Sequence, residues 1–249
     1  MLFRSNLEFP QKYFGQVDKE VAKAQDIKNI SHRKKFVELI KSLPQNCTVL
    51  DAGCGSGKYL KFILAYRPDI KVYAVDISDV SSYMPEQVKF TQCSVEDLDQ
   101  HFPENTFDFI VSAHVIEHLL TPMKMMAACK KVLKADGQLY LETPNWTRLF
   151  VPWLPQFFYS DYTHIRIFSK YTMFYLCKDF GFEIKFLKSY SSTPLWLSRV
   201  KNSETTLSTK VVDKTKARPL SLSLLSKIMI RLWSIIIKDI MILVAVNKK

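Results

Sequence analysis

At 249 residues with 47% hydrophobic side chains, the chain can bury a sizeable core, and with only 6 glycines its composition argues against disorder. Five cysteines (Cys47, Cys54, Cys93, Cys129 and Cys177) form no CxxC pair and are odd in number, which argues against a disulfide scaffold and for a reducing, cytoplasmic setting. A formal charge of +11 fits an anionic partner (nucleic acid, a phosphorylated metabolite or a membrane surface) or simply a solvated lysine-rich surface.

Residues 1–30 are polar, weakly patterned and without the apolar h-region of a signal peptide. The spacing of Phe36, Leu39, Ile40 and Leu43 predicts a helix over about His32–Leu43. Strand and helix then alternate: strand Thr48–Ala52, helix Lys58–Tyr66, strand Lys71–Asp76, strands Val88–Cys93 and Phe107–Ser112, helix Pro122–Leu133, strand Gly137–Thr143. A long aromatic loop from Pro144 to His164 leads to a helix over about Ser169–Phe180, ended by Gly181, and a strand at Phe182–Lys188. Residues 191–219 are Ser/Thr/Lys-rich; an apolar helix follows from Pro219 to about Lys238, then a last strand, Met241–Val246. This alternation predicts one α/β domain over residues 1–249, a doubly wound, mostly parallel seven-stranded sheet with helices on both faces and the last strand antiparallel. Its core spans about 32–190 plus a strand at 240–247, and a basic, apolar insertion occupies about 191–238.

Asp51-Ala52-Gly53-Cys54-Gly55-Ser56-Gly57 follows the first strand and holds three of the chain's six glycines. Glycine there lets backbone approach a ligand, and the next helix turns its positive end toward an anionic group. Asp76, at the end of the second strand, can accept hydrogen bonds from both ribose hydroxyls, with Ile77 beside it. A nicotinamide site needs G-x-G-x-x-G, and Lys58 occupies the place of its last glycine. The bland alternative is a tight turn that binds nothing.

Val49–Gly57 (VLDAGCGSG), Val75-Asp76, Phe107–His118 (FDFIVSAHVIEH), Thr143-Pro144-Asn145 and Asp161–Phe168 (DYTHIRIF) resemble the class I S-adenosylmethionine-dependent methyltransferases. More narrowly they resemble the bacterial branch with ubiquinone-biosynthesis O-methyltransferases and sugar or cell-envelope methyltransferases. The likeness covers about residues 32–190 and the last strand, and implies the Rossmann-like fold with S-adenosylmethionine as cofactor. It further implies that Asp51, Gly53 and Gly55 line the methionine part and that Asp76 holds the ribose, with Cys54, Gly57 and Ile77 also at the cofactor. Ser94 and Val95 then meet the adenine, where relatives often carry Gly-Asp at Cys93-Ser94, and Ser112 and Ala113 sit beside the sulfonium.

On the acceptor side, His114, Glu117 and His118 have the spacing to share one helical face, and His164 arrives from the aromatic loop. Small-RNA 2′-O-methyltransferases and some ubiquinone methyltransferases carry a similar metal-binding Glu-x-x-Glu-His; here the first place is His114. Three readings compete for this set. The first is a divalent transition-metal site of His114, Glu117, His118 and His164; the second is metal-free acid–base chemistry by His114 or His164; the third is structural bracing. Asn145 is a candidate for orienting an acceptor hydroxyl or a plain turn residue, and Arg166 for pairing with an acceptor anion or bracing Asp161.

The aromatic loop (Trp153, Phe157, Phe158, Tyr159 among others) reads as a lid, a membrane wedge or buried packing. In the Pro219–Lys238 helix, Lys227, Arg231, Ser234 and Lys238 form one polar stripe, which argues against a transmembrane span and suits either a membrane surface or packing on the sheet. These features point to a small-molecule, sugar or lipid-linked acceptor, methylated on oxygen, with contact at the inner face of the membrane. Nucleic acid ranks lower, because basic and stacking residues are not interleaved in one segment. A 2′-O-methylating RNA enzyme and a non-catalytic cofactor-binding protein are the alternatives.

Overall fold

Thr48-Val49-Leu50-Asp51-Ala52 shows no polar–apolar alternation, the pattern of a strand covered on both faces, and it becomes the central strand β1 (Thr48–Ala52). The computed structural model describes residues 31–145, 161, 163–190 and 240–248. Six further strands join β1: β2 (Lys71–Asp76), β3 (Lys89–Gln92), β4 (Phe107–Ala113), β5 (Leu133–Pro144), β6 (Phe182–Tyr190) and β7 (Ile240–Asn247). The sheet order is β3-β2-β1-β4-β5-β7-β6, with β7 antiparallel to both neighbours and the other pairs parallel. The order reverses between β1 and β4, and ligands of open α/β sheets bind in the crevice beyond the carboxyl ends at that switch point.

Helices α1 (Ser31–Ser42), α2 (Lys58–Tyr66), the short α3 (Leu98–His101), α4 (Pro122–Val132) and α5 (Lys170–Asp179) connect the strands. Two separate apolar clusters show that both faces of the sheet are covered. Phe36 and Ile40 of α1 pack with Leu60 and Ile63 of α2 on one face; Met125 and Cys129 of α4 pack with Met173 and Cys177 of α5 on the other. The apolar run 240–246 lies between β5 and β6, and its described side chains are buried.

Most boundaries lie within one or two residues of the sequence expectation, and two differences matter for the sheet. β3 is shorter than Val88–Cys93. β5 begins at Leu133 rather than Gly137, because Asp136 at φ +60° and a register shift between Phe107 and Phe109 make an irregular start before the regular pairing with β4. The N-terminal segment, the 146–160 part of the aromatic loop, and the 191–238 insertion with its expected helix lie outside the described residues. Among the described residues, no helix is long and apolar enough to cross a membrane. All five cysteines are buried thiols; burial pushes Cys129 and Cys177 up to about 12.

Candidate functional site

β1 delivers Asp51 to the carboxyl edge, and the glycine turn is fastened to the end of β2. The amides of Gly53 and Cys54 both donate to the Val75 carbonyl (2.8 and 3.0 Å), and Gly55 N donates to Asp76 Oδ2 (2.9 Å). Gly53 has φ +83°, and a Cβ there would stand 2.3 Å from Val115 Cγ2, so no other residue fits without displacing the loop after β4. Gly57, at φ +75°, forms the N-cap of α2 without a side-chain cap. A Cβ on Gly55 would meet nothing within 4 Å, so the middle of the turn borders open space.

Asp51 is 1% exposed, and its Oδ2 has no hydrogen-bond partner. Burial first, and Asp76 second, push its pKa up to about 8. A buried, unsatisfied carboxyl oxygen beside an open glycine turn is complementary to a ligand cation or N–H donor. Asp76 accepts from Gly55 N and Ser78 N, one bond per oxygen, which leaves a lone pair on each for a diol. Ile77 projects next to it, 64% exposed.

The other residues expected near the cofactor are placed less simply. Ser94 Oγ accepts from Glu96 N and caps the 3₁₀ turn Val95–Asp97, while the Val95 side chain is buried in the core. Ser112 is buried and donates to the Ala52 carbonyl at 2.7 Å, so its hydroxyl braces β4 on β1; Ala113 beside it is partly exposed.

His114, Glu117 and His118 do not share an α-helical face, which corrects the sequence expectation. His114 sits at φ +58°, its amide bonded to the Glu142 carbonyl at 2.8 Å, and only a three-residue 3₁₀ turn, Ile116–His118, follows. The imidazole bridges two carboxylates instead: Nδ1 lies 3.3 Å from Glu117 Oε1 and Nε2 lies 3.3 Å from Glu142 Oε1. Glu142 also accepts from Tyr59 (2.7 Å) and Tyr140 (2.9 Å), and Glu117 accepts from Thr143 (3.0 Å). The two carboxylates hold the ring from either side, yet 41% of the side chain is exposed and open to an approaching group. Burial opposes its protonation, but Glu117 and Glu142 outweigh that and carry the pKa up to about 9. Glu117 responds in kind: burial would raise it, and His114 holds it below the ordinary carboxylate range.

Glu117, His118 and His164 do converge, each offering a ligand atom within 4.8 Å of the others. The His118 and His164 ring centroids are 4.8 Å apart. His118 Nδ1 lies 3.1 Å from the Thr163 carbonyl and 3.0 Å from its hydroxyl, which donates to Asp161 Oδ1 at 2.5 Å. His164 Nε2 is 3.7 Å from Asp161 Oδ2. The Glu117 carbonyl accepts from the amides of Ile165 and Arg166, which ties the incoming segment to the site. Arg166 donates to the carbonyls of Leu119 and Leu120, not to Asp161. Asn145, buried at the end of β5, forms a bridge with Phe168.

Sequence reasoning missed Glu142 with Tyr59 and Tyr140. A signal was present: Glu142 is an acid in the otherwise apolar run Leu139–Leu141, on the same strand face as Tyr140. A concavity at the amino edge is lined by Lys41, Asn46, Arg67 and Asp69. Arg67 there donates to three carbonyls and to Asp69, so it is a clip between α1 and α2.

A family model described as "Methyltransferase domain" matches residues 22–185. Among curated relatives, a malonyl-[acyl-carrier protein] O-methyltransferase of Paenibacillus sp. is 26% identical over 149 residues, covering 52% of this chain and 54% of that protein. A ubiquinone biosynthesis O-methyltransferase of Xanthomonas campestris is 33% identical over 123 residues, covering 46% and 50%. The chain spans about half the length, or less, of the curated relatives it matches. In fold it is similar to an S-adenosylmethionine-dependent methyltransferase from Archaeoglobus fulgidus, with TM-score 0.64, 17% identity, and coverage of 94% of this chain and 99% of that one.

Proposed function

The chain belongs to the methyltransferase-domain family, and from that premise we propose that it transfers the methyl group of S-adenosylmethionine to an oxygen of a small-molecule, sugar-linked or lipid-linked acceptor. The observation that carries the reading is the pairing of an open glycine turn with the unsatisfied buried oxygen of Asp51. S-adenosylmethionine supplies an electrophilic methyl on a sulfonium. Asp51 takes its ammonium, the Gly53–Gly57 backbone lies along the methionine part, and Asp76 accepts from the ribose. Ile77, with Ser94 and the Val95 backbone, borders the adenine, and Ser112 and Ala113 lie toward the sulfonium.

For the acceptor, His164 braced by Asp161 is the better proton acceptor. His114, held protonated between two carboxylates, has both ring nitrogens engaged and instead supplies positive charge to the site. That charge favours an acidic hydroxyl, such as the phenol of a prenylated ring, over a simple sugar hydroxyl, and both curated relatives described above are named O-methyltransferases. Asn145 orients the hydroxyl. Calorimetry with S-adenosylmethionine tests the reading: binding that Asp51→Ala abolishes is expected, and no binding by the wild type sinks it.

A second reading rests on the convergence of Glu117, His118 and His164. Two imidazoles and a carboxylate suit Zn, Mn, Fe or Co rather than Mg. With Nδ1 turned to Thr163, His118 leaves Nε2 for an ion. A divalent ion there would acidify an acceptor hydroxyl. His114 is not one of these ligands. Metal analysis of purified protein, with His118→Ala as control, is expected to show one bound ion lost in the variant; activity unaffected by EDTA in a metal-free preparation removes this reading.

A further inference from the structure

The exposed apolar side chains of the described residues are unevenly placed. Six of them, Leu120, Met123, Ile165, Tyr171, Phe174 and Tyr175, belong to the segments that start α4 and α5 or to α5 itself. β4 and β5 are parallel, and β5 and β6 are parallel through their shared antiparallel partner β7. A crossover helix between parallel strands begins at the carboxyl edge. The first turns of α4 and α5 therefore stand at the edge that carries the glycine turn and the histidines, and the two helices share one core cluster through Met125, Cys129, Met173 and Cys177. On α5 the buried pair Met173 and Cys177 faces that core. Tyr171, Phe174 and Tyr175 point away from it, with Tyr171 79% exposed. Lys124, Arg166 and Lys170 are exposed on the same segments, whereas Lys178 and the exposed acid Asp179 lie together at the far end of α5.

Resting on the reading of a lipid-linked acceptor, we propose that this aromatic, basic rim docks the protein on an anionic lipid bilayer and presents the acceptor site to a substrate held in it. Tyrosine has an apolar ring and a polar tip, the composition of an interfacial anchor. Interleaved cations add attraction to acidic headgroups. Aliphatic Leu120, Met123 and Ile165 at the mouth match acyl chains, whereas they offer nothing to nucleobases.

The test uses the full chain in co-sedimentation with phosphatidylcholine vesicles, with and without phosphatidylglycerol. Wild type is expected on the anionic vesicles, and Tyr171→Ser combined with Tyr175→Ser lowers partitioning by about tenfold while calorimetric binding of S-adenosylmethionine is unchanged. Lys124→Gln with Lys170→Gln lowers it on anionic vesicles alone. Equal partitioning of wild type and the tyrosine variant overturns the proposal, as does absence of wild-type binding. Self-association in ultracentrifugation, or binding to a single-stranded oligonucleotide, that the tyrosine variant loses would assign the rim to another partner and also overturn it. Failure of the methyl-donor titration alone defeats the methyltransferase reading and leaves the vesicle result standing.

Discussion

Asp51→Asn tests how the site stores free energy for its ligand. Asp51 ionises in the folded apo-protein only near pH 8, whereas in the unfolded chain it ionises near the ordinary value of 3.8. For an acid whose folded pKa is raised, stability is complete below the unfolded pKa and falls as pH climbs toward the folded one. Between these limits the folded state holds one more proton, so wild type loses about 1.4 kcal/mol per pH unit from this group. At pH 7 the accumulated cost is roughly 4 kcal/mol. The asparagine side chain has nearly the same shape as that of Asp51 and no proton to keep. Denaturant titrations of wild type and variant at pH 5, 6, 7 and 8 should therefore diverge, with the variant gaining on the alkaline side, while its methyl-donor affinity collapses. A ligand ammonium reverses the cost by favouring the carboxylate, so wild-type binding at pH 6.5 should release a proton, measurable as a dependence of calorimetric heat on buffer ionisation enthalpy. Parallel stability curves for the two proteins, or binding without proton release, would refute the reasoning.

Gly53→Ala combines a left-handed backbone with a 2.3 Å approach to Val115, and together these should destabilise the fold by about 3 kcal/mol; adding Val115→Ala should recover about 1–2 kcal/mol of it in a double-mutant cycle. Glu142→Gln leaves His114 with Glu117 as its one carboxylate partner, so the imidazole pKa measured by NMR should drop from about 9 toward its ordinary value, with a stability loss on the order of 2 kcal/mol. Because the folded pKa of His114 is raised, its contribution is complete below pH 6.5 and lost as pH rises through 9; His114→Gln should remove that part of the alkaline decline in thermal stability.

The divide between what was legible in the sequence and what was not follows from contact range. β1 with its glycine turn, and β7 as an unbroken apolar run, are local patterns, and each residue's role depends on its immediate neighbours. The seven-stranded sheet follows from those patterns and the alternation of strand with helix. The histidines failed that test. Reading His114, Glu117 and His118 at helical spacing assumed that a helix resumes where β4 ends, but the chain leaves the strand through a left-handed residue and a single 3₁₀ turn. His114 is thereby turned to Glu142, and Glu142 to Tyr59, which lies 83 residues away. No periodicity encodes such a contact; only the acid that closes the apolar run Leu139–Leu141 hints at one.

That long-range network bears on how the two halves of the site are joined. Tyr59 belongs to the helix opened by the glycine turn, and Glu142 takes its hydroxyl in the same carboxylate that faces His114. His114 in turn faces Glu117, whose carbonyl holds the amides of Ile165 and Arg166 beside His164. An unbroken series of hydrogen bonds and close polar contacts thus runs from the turn assigned to the methyl donor to the segment that supplies the acceptor-side histidine. Buried carboxylates are costly to leave unsatisfied, so displacing either end costs one of them a partner. An in-line transfer needs that restriction, since its rate falls steeply as the acceptor atom moves off the axis of the breaking bond. Under the proposed methyl transfer, Glu117 and Glu142 would set the distance between the two substrates rather than carry protons, and the proton would fall to His164, which lies beyond the end of the series with its own carboxylate, Asp161.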